Sequence, residues 1–209
     1  KIDIATDCIL SENFSPESGL VNASYPAQAT PTLYTWKNVQ MESNWSGIEY
    51  SFASFLLENG RYKEATRIVE TVERRHTQNG RRFNHEECGE HYYRALASWA
   101  MLQSLTGLKA DMPREKLSFS PALPELTAPW FVPGAYGKLS IAEKKIRIEC
   151  LGGCLNLKQL ALRTEMEKAV VTVGGAAACT QTYENGVLTL TFSDGLQLCS
   201  GSFILATKF

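Results

Sequence analysis

Residues 44–75 read NWSGIEYSFASFLLENGRYKEATRIVETVERR, and the contrast between the two halves of this stretch decides the architecture. Ile48, Phe52 and Leu56 recur at four-residue spacing with Ala53 and Leu57 beside them. That spacing predicts a helix that begins around Asn44 to Ser46, either of which can cap it, and stops at Asn59-Gly60. This helix is nearly apolar all round and is expected to be enclosed. Tyr62, Ala65, Val69 and Val72 follow at i, i+3, i+7 and i+10 among lysine, glutamate and arginine, so the second helix, Tyr62 to Arg75, packs on one face only and lies outside the first. The short connection Glu58-Asn59-Gly60-Arg61 makes the two antiparallel.

A third helix is predicted from about Gly89 to Leu105, with Tyr93, Leu96, Ala97, Ala100 and Met101 on a broad apolar face and Gly107 as its stop. Inner helix, outer helix, inner helix is the local grammar of a toroid of α-hairpins. Three helices cannot close such a ring, so its remainder is expected in other chain. After residue 135 the pattern changes to period two, as in KIRIEC and VLTLTF. Strands are predicted at Leu139 to Ile141, Lys145 to Cys150, Leu155 to Leu162, Ala169 to Val173, Val187 to Phe192, Leu196 to Leu198 and Ser202 to Ala206. Asn185-Gly186 and Asp194-Gly195 supply the positive φ of tight hairpins, and Gly152-Gly153 reads as a turn between strands. Pro113, Pro121, Pro124, Pro129 and Pro133, five of the 8 prolines, lie between the helical and strand-like parts and read as an extended linker. The expected fold is therefore α+β. Residues 1–120 are expected to form the helical domain, with the helical pattern running from Glu42 to Leu108, and residues 121–209 hold a proline-rich linker and an antiparallel, sandwich-like β domain.

The composition excludes several classes of function. The chain has 209 residues and is 44% hydrophobic, which is enough to build a packed core. Lysine and arginine number 21 against 22 acids, a formal charge of -1, which leaves no basic footprint for nucleic acid or an anionic membrane. No apolar run is long enough for a spanning helix, and the opening KIDIATDC lacks a secretory layout. The start at Lys1 and the content of the first forty residues favour a piece of a larger polypeptide. Six cysteines are too sparse for a disulfide scaffold and are expected to be reduced and mostly buried. Asn13, Asn22 and Asn44 open glycosylation tripeptides, which carry no implication without a secretory context.

Chemistry concentrates at two helix starts. The segment Arg81 to Arg94 packs His85, Glu86, Glu87, Cys88, Glu90, His91, Tyr92, Tyr93 and Arg94 around the start of the third helix, where polar side chains would face the mouth of a toroid. A solvated loop whose acids stabilise a helix N-terminus would use the same residues. His85, Cys88 and His91 recur at i, i+3, i+6, but Gly89 interrupts them and no second ligand cluster appears, so no metal is assigned. The other segment, Gln40 to Tyr50, places Trp45 between Glu42 and Glu49. A hexose presents an apolar C–H face and a rim of hydroxyls, so its site needs an aromatic platform beside carboxylates and arginines, and the two segments supply that mixture. Packing of Trp45 in a core, with Glu42 as a cap and Glu49 as a salt-bridge partner, is the competing reading. No convincing pair of catalytic carboxylates, no serine-hydrolase elbow, no phosphate loop and no dinucleotide fingerprint is present, and no cofactor is assigned.

Glu42-x-x-Trp45-Ser46-Gly47-x-Glu49-Tyr50 and Glu87-Cys88-Gly89-x-His91-Tyr92-x-Arg94-Ala95 resemble two motifs of the glucosylceramidase-like glycoside hydrolases, glycoside hydrolase family 116. Ala97-Ser98-Trp99, Leu105-x-Gly107 and Leu117-x-Phe119-x-Pro121 are similar to the tail of that family's toroid, so the resemblance covers about residues 35 to 125. It implies the last helices of an (α/α)6 toroid, a carbohydrate substrate, and a retaining β-glycosidase whose glutamate nucleophile and aspartate acid/base lie upstream, in the remainder of the parent polypeptide. No catalytic residue is then expected here. Glu42, Trp45, His85, Glu87, His91 and Arg94 become the substrate-binding candidates. Arg94 matches the family's sugar-binding arginine, whereas His85 stands where the family has an acid. That departure implies an altered sugar preference or lost activity, and it motivates the alternative of a non-catalytic carbohydrate-binding or structural module.

Overall fold

The structure, a computed structural model, describes residues 1–24, 43–78, 96–173 and 179–208. It divides the chain into two compact units, Lys1–Met101 and Leu102–Phe209. The first is helical and the second is dominated by antiparallel strands, so helices are followed by β structure, as expected from sequence. The boundary falls ahead of the proline-rich segment, inside a helix, and not near residue 120.

In the first unit, α1 (Ile2–Asn13) leads into a two-stranded hairpin, β1 (Phe14–Ser15) and β2 (Gly19–Leu20), and then α2 (Ser46–Glu58) and α3 (Tyr62–Gln78). The hydrophobic pattern before residue 44 predicts no helix. α1 buries only Thr6 and leaves Ile2, Ile4 and Ile9 exposed, so it has no apolar stripe to read. The Asp7 carboxylate ties it to Arg61 at 2.6 Å.

α2 and α3 are joined where the spacing placed the turn. Asn59 is the C-cap of α2, the Arg61 N–H donates to the Leu56 carbonyl at 2.8 Å, and the Gly60 N–H donates to Leu57 at 3.0 Å. These two bonds form a Schellman motif, which requires a left-handed residue after the cap, and Gly60 supplies it with φ 75°. α3 buries Ala65, Ile68, Thr71, Val72 and His76 and exposes Lys63 and most of its acids. Ile68 therefore takes the core position expected for Val69, and Tyr62 is exposed. α2 departs further from expectation. Its buried row is Ser46, Glu49, Ala53, Leu56 and Leu57, while Ile48 and Phe55 are each 40% exposed. The helix is thus turned about one residue from the face that hydrophobicity alone selects.

α4 (Ala97–Thr106) spans the division between the units and ends at Gly107, φ 60°, by the same pair of bonds: Leu108 N–H to Gln103 and Gly107 N–H to Ser104. Gly107 is the stop predicted for the third helix. The enclosed apolar face expected there is not seen over the described part, since Leu96 and Trp99 are exposed.

The second unit contains β3 (Lys109–Asp111), β4 (Lys116–Phe119), β5 (Leu126–Val132), β6 (Ala135–Ala142), β7 (Lys145–Arg163), β8 (Ala169–Val173), β9 (Thr180–Glu184), β10 (Val187–Cys199) and β11 (Phe203–Lys208). The proline-rich segment, expected as a linker, holds two strands, β4 and β5, with Pro113 in a 3-10 turn, Pro121 and Pro124 between the strands and Pro133 in the turn after β5. Leu117 and Phe119 lie in the core of this unit, and Pro129 sits in β5, which among the described residues pairs only with β6, an edge position where a strand tolerates proline.

β7 organises the unit. Its first half pairs with β6 and β11, and its second half pairs with β10 on one side and, in parallel, with β4 on the other. Two ladders, β5-β6-β7-β11-β8 and β3-β4-β7-β10-β9, therefore share one strand, and residues of both build a single apolar core around Trp130, Leu139, Ile148, Leu157, Leu160, Leu188 and Phe192. The buried positions of β7 run 146, 148, 150, then 155, 157, then 160, 162. A period of two cannot change parity without an extra residue, so each change marks a bulge. The first lies beside Gly152-Gly153, where the β6 register shifts. At the second, the N–H groups of Lys158 and Gln159 both donate to the Glu115 carbonyl.

Asn185-Gly186 forms the predicted β9–β10 turn, both residues at positive φ. Asp194-Gly195 instead lies within the single strand β10, where the pairing with β7 skips from Thr191 to Leu196. The expected hairpin there is a bulge, as is the expected turn at Gly152-Gly153.

The expectation of uniformly reduced cysteines is also corrected. Cys154 and Cys199 stand directly opposite in the β7–β10 register and form a disulfide, Cys8 is exposed, and Cys150 is buried. Burial raises the Cys150 and Cys179 thiols above their ordinary value. The disulfide spans a sequence separation of 45. Replacing both partners by serine is expected to cost about 2–4 kcal/mol, read as the shift in unfolding free energy from denaturant titration.

Candidate functional site

α2 begins at Ser46, and Trp45 is its N-cap, with extended backbone at φ -106° and ψ 114°. The Ile48 and Glu49 N–H groups both donate to the Trp45 carbonyl at 2.9 Å. Neither Asn44 nor Ser46 caps the helix through its side chain, because the cap position falls between them. Trp45 is half-buried, and Ser43, three residues before this start, accepts a bond from the Asn22 N–H at 3.0 Å. The helix mouth is thereby tied to the chain that follows β2.

The most constrained group at this mouth is Glu49, which is 0% exposed. Arg75, at the end of α3, grips it with two nitrogens, Nη1 to Oε1 at 3.0 Å and Nη2 to Oε2 at 2.5 Å. The Leu20 N–H adds a third bond to Oε1 at 3.0 Å, and Arg75 Nη1 also donates to the Ser18 carbonyl at 2.8 Å. A buried carboxylate needs this degree of pairing, because desolvation would otherwise expel or neutralise it. Gly19 lies against the pair at φ 101°, and a Cβ there would collide with both Arg75 Nη1 and Glu49 Oε1. Only glycine lets the β1–β2 turn approach closely enough for its neighbours to bond the two charges.

This clasp joins three segments distant in sequence: the β1–β2 turn, the first turn of α2 and the last turn of α3. It also accounts for the rotation of α2, since burying Glu49 against Arg75 turns Ile48 outward. Chemically, Glu49 has both oxygens occupied and no access to solvent, so it holds structure and is not available as an acid, a base or a sugar contact. The salt-bridge reading of Glu49 is the one the structure supports. Arg75 and Gly19 were not predicted. A partner 26 residues away along the chain leaves no periodic trace, and a glycine before a leucine looks like any loop residue.

Of the six substrate-binding candidates, Trp45 is placed at the α2 mouth. Glu42, His85, Glu87, His91 and Arg94 lie outside the described residues, as does Cys88. Among the described residues, no three of histidine, cysteine, aspartate and glutamate gather as a metal site, and no helix is long and apolar enough to cross a membrane. The chain matches no protein-family model and no curated protein.

Proposed function

We propose that this chain is the C-terminal part of a β-glycosidase of the glucosylceramidase-like type. In this reading α2 and α3 form an inner and outer pair of an (α/α)6 toroid, and the reactive carboxylates come from chain outside these residues. The observation that carries the reading is the pair of motifs at two helix starts, Glu42 to Tyr50 and Glu87 to Ala95. Supporting it, the first motif coincides with the start of α2, whose Trp45 stands at the mouth, and α3 is the one-sided helix expected on the outside. Trp45 would offer the sugar an apolar platform, Arg94 would donate to hydroxyls, and Glu42, Glu87, His85 and His91 would complete the hydrogen-bonding rim. Protonation of the leaving oxygen and nucleophilic attack would belong to the two upstream acids.

The test compares the 209-residue chain with its complete parent on an aryl β-glucoside. The chain alone is expected to give no turnover and the parent to be active, with Arg94→Ala in the parent lowering kcat/KM by about 100-fold through lost positioning. Robust hydrolysis by the isolated chain would overturn the assignment of the acids to other chain. An inactive parent that still binds glucose or xylose by calorimetry would favour the non-catalytic module that the His85 substitution suggests.

A further inference from the structure

The β unit carries a hollow of about 850 Å³ that the glycosidase reading does not use. Its floor is aliphatic, built from buried Ile146 and Met166 and half-buried Ile141 and Leu123. Its rim carries Glu125, Glu143 and Glu165, each exposed and each from a different connection: the segment before β5, the β6–β7 turn and the β7–β8 link. Among the described residues none of the three has an ion-pair or hydrogen-bond partner, whereas Glu115 and Glu149 elsewhere in the unit are paired with lysine. Arg163 is the basic residue of the lining, and it directs Nε to Ser120 Oγ at 3.1 Å.

The walls are held independently of any ligand. The Tyr183 hydroxyl donates to the Thr164 carbonyl at 3.1 Å, the Thr164 N–H donates to Gly186 at 2.9 Å, and the Met166 N–H donates to Thr164 Oγ1 at 3.2 Å. A preformed hollow of this size with an apolar floor suits a small organic ligand. The charge decides which kind. The lining carries three carboxylates against one guanidinium above an apolar floor, a charge balance that disfavours an anion and favours a cation over a neutral polyol.

We propose that this hollow is a binding site for a small organic cation, an amine or guanidinium on an aliphatic body, whose chain lies on Ile146 and Met166 while its charge meets the glutamate rim. The proposal stands apart from the glycosidase reading, since it concerns other residues in the other unit.

Calorimetric titration of the 209-residue chain with 1,6-diaminohexane tests it, with hexane-1,6-diol as the isosteric neutral control. Saturable binding of the diamine that weakens with added salt is expected, with none for the diol. In Glu143→Gln/Glu165→Gln the affinity should fall by about tenfold or more at an unchanged melting temperature, because both side chains are exposed. Equal binding of the diol, wild-type affinity in the double variant, or the absence of saturable binding would each overturn the proposal.

Discussion

Glu49→Ala is expected to lower the unfolding free energy by about 3–5 kcal/mol, the range for removing one partner of a buried ion pair. The alanine leaves Arg75, whose side chain is 12% exposed, without its counter-charge, and leaves the Leu20 N–H without its acceptor. The loss should be read by denaturant titration, with hydrogen exchange accelerated in α2 and α3. Replacing both charges by apolar residues, Glu49→Leu with Arg75→Met, is expected to recover much of the stability, since neither residue then strands a buried charge. If Glu49→Ala changed stability by less than about 1 kcal/mol, the pair would be behaving like a solvated surface bridge, and the account of how α2 is oriented would fail.

Phe192→Ala is expected to cost the β unit a similar amount, about 3–5 kcal/mol. Phe192 is 1% exposed and lies in β10 at the start of the bulge that shifts its register against β7. Removing the ring deletes buried apolar area and leaves a cavity between two ladders that share a strand and therefore have little freedom to close on it. Phe192→Leu keeps most of the volume and should cost less than half as much. Equilibrium unfolding followed by a β-sheet signal distinguishes the two, and equal losses for both variants would show that side-chain volume is not what Phe192 contributes.

Much of the helical architecture could be read locally. The Asn59-Gly60 stop, the one-sided face of α3 and the Gly107 stop follow from caps and spacing, because the forces that set them act within a few residues. The α2 face could not be read so. Apolar content selects the row through Ile48, but the buried row runs through Glu49, and Arg75 of α3 together with the Leu20 N–H makes that burial tolerable. The candidate site divides likewise. Residue type and spacing named Trp45 and the acids around it, whereas the clasp behind them depends on a turn, a helix start and a helix end meeting in space.

In the β half, residue patterns determined that strands would form, where most of them would lie and that Asn185-Gly186 would reverse the chain. They could not determine how many strands there were. A glycine at positive φ serves a hairpin and a bulge equally well, and the choice belongs to the partner strand. β7 runs unbroken past Gly152-Gly153, and β10 past Asp194-Gly195, because each finds continuous partners on both sides of the interruption. The prolines of residues 113–133 announced only the absence of N–H donors. It took β6 on one side of β5, and among the described residues no strand on the other, to make that absence compatible with a sheet.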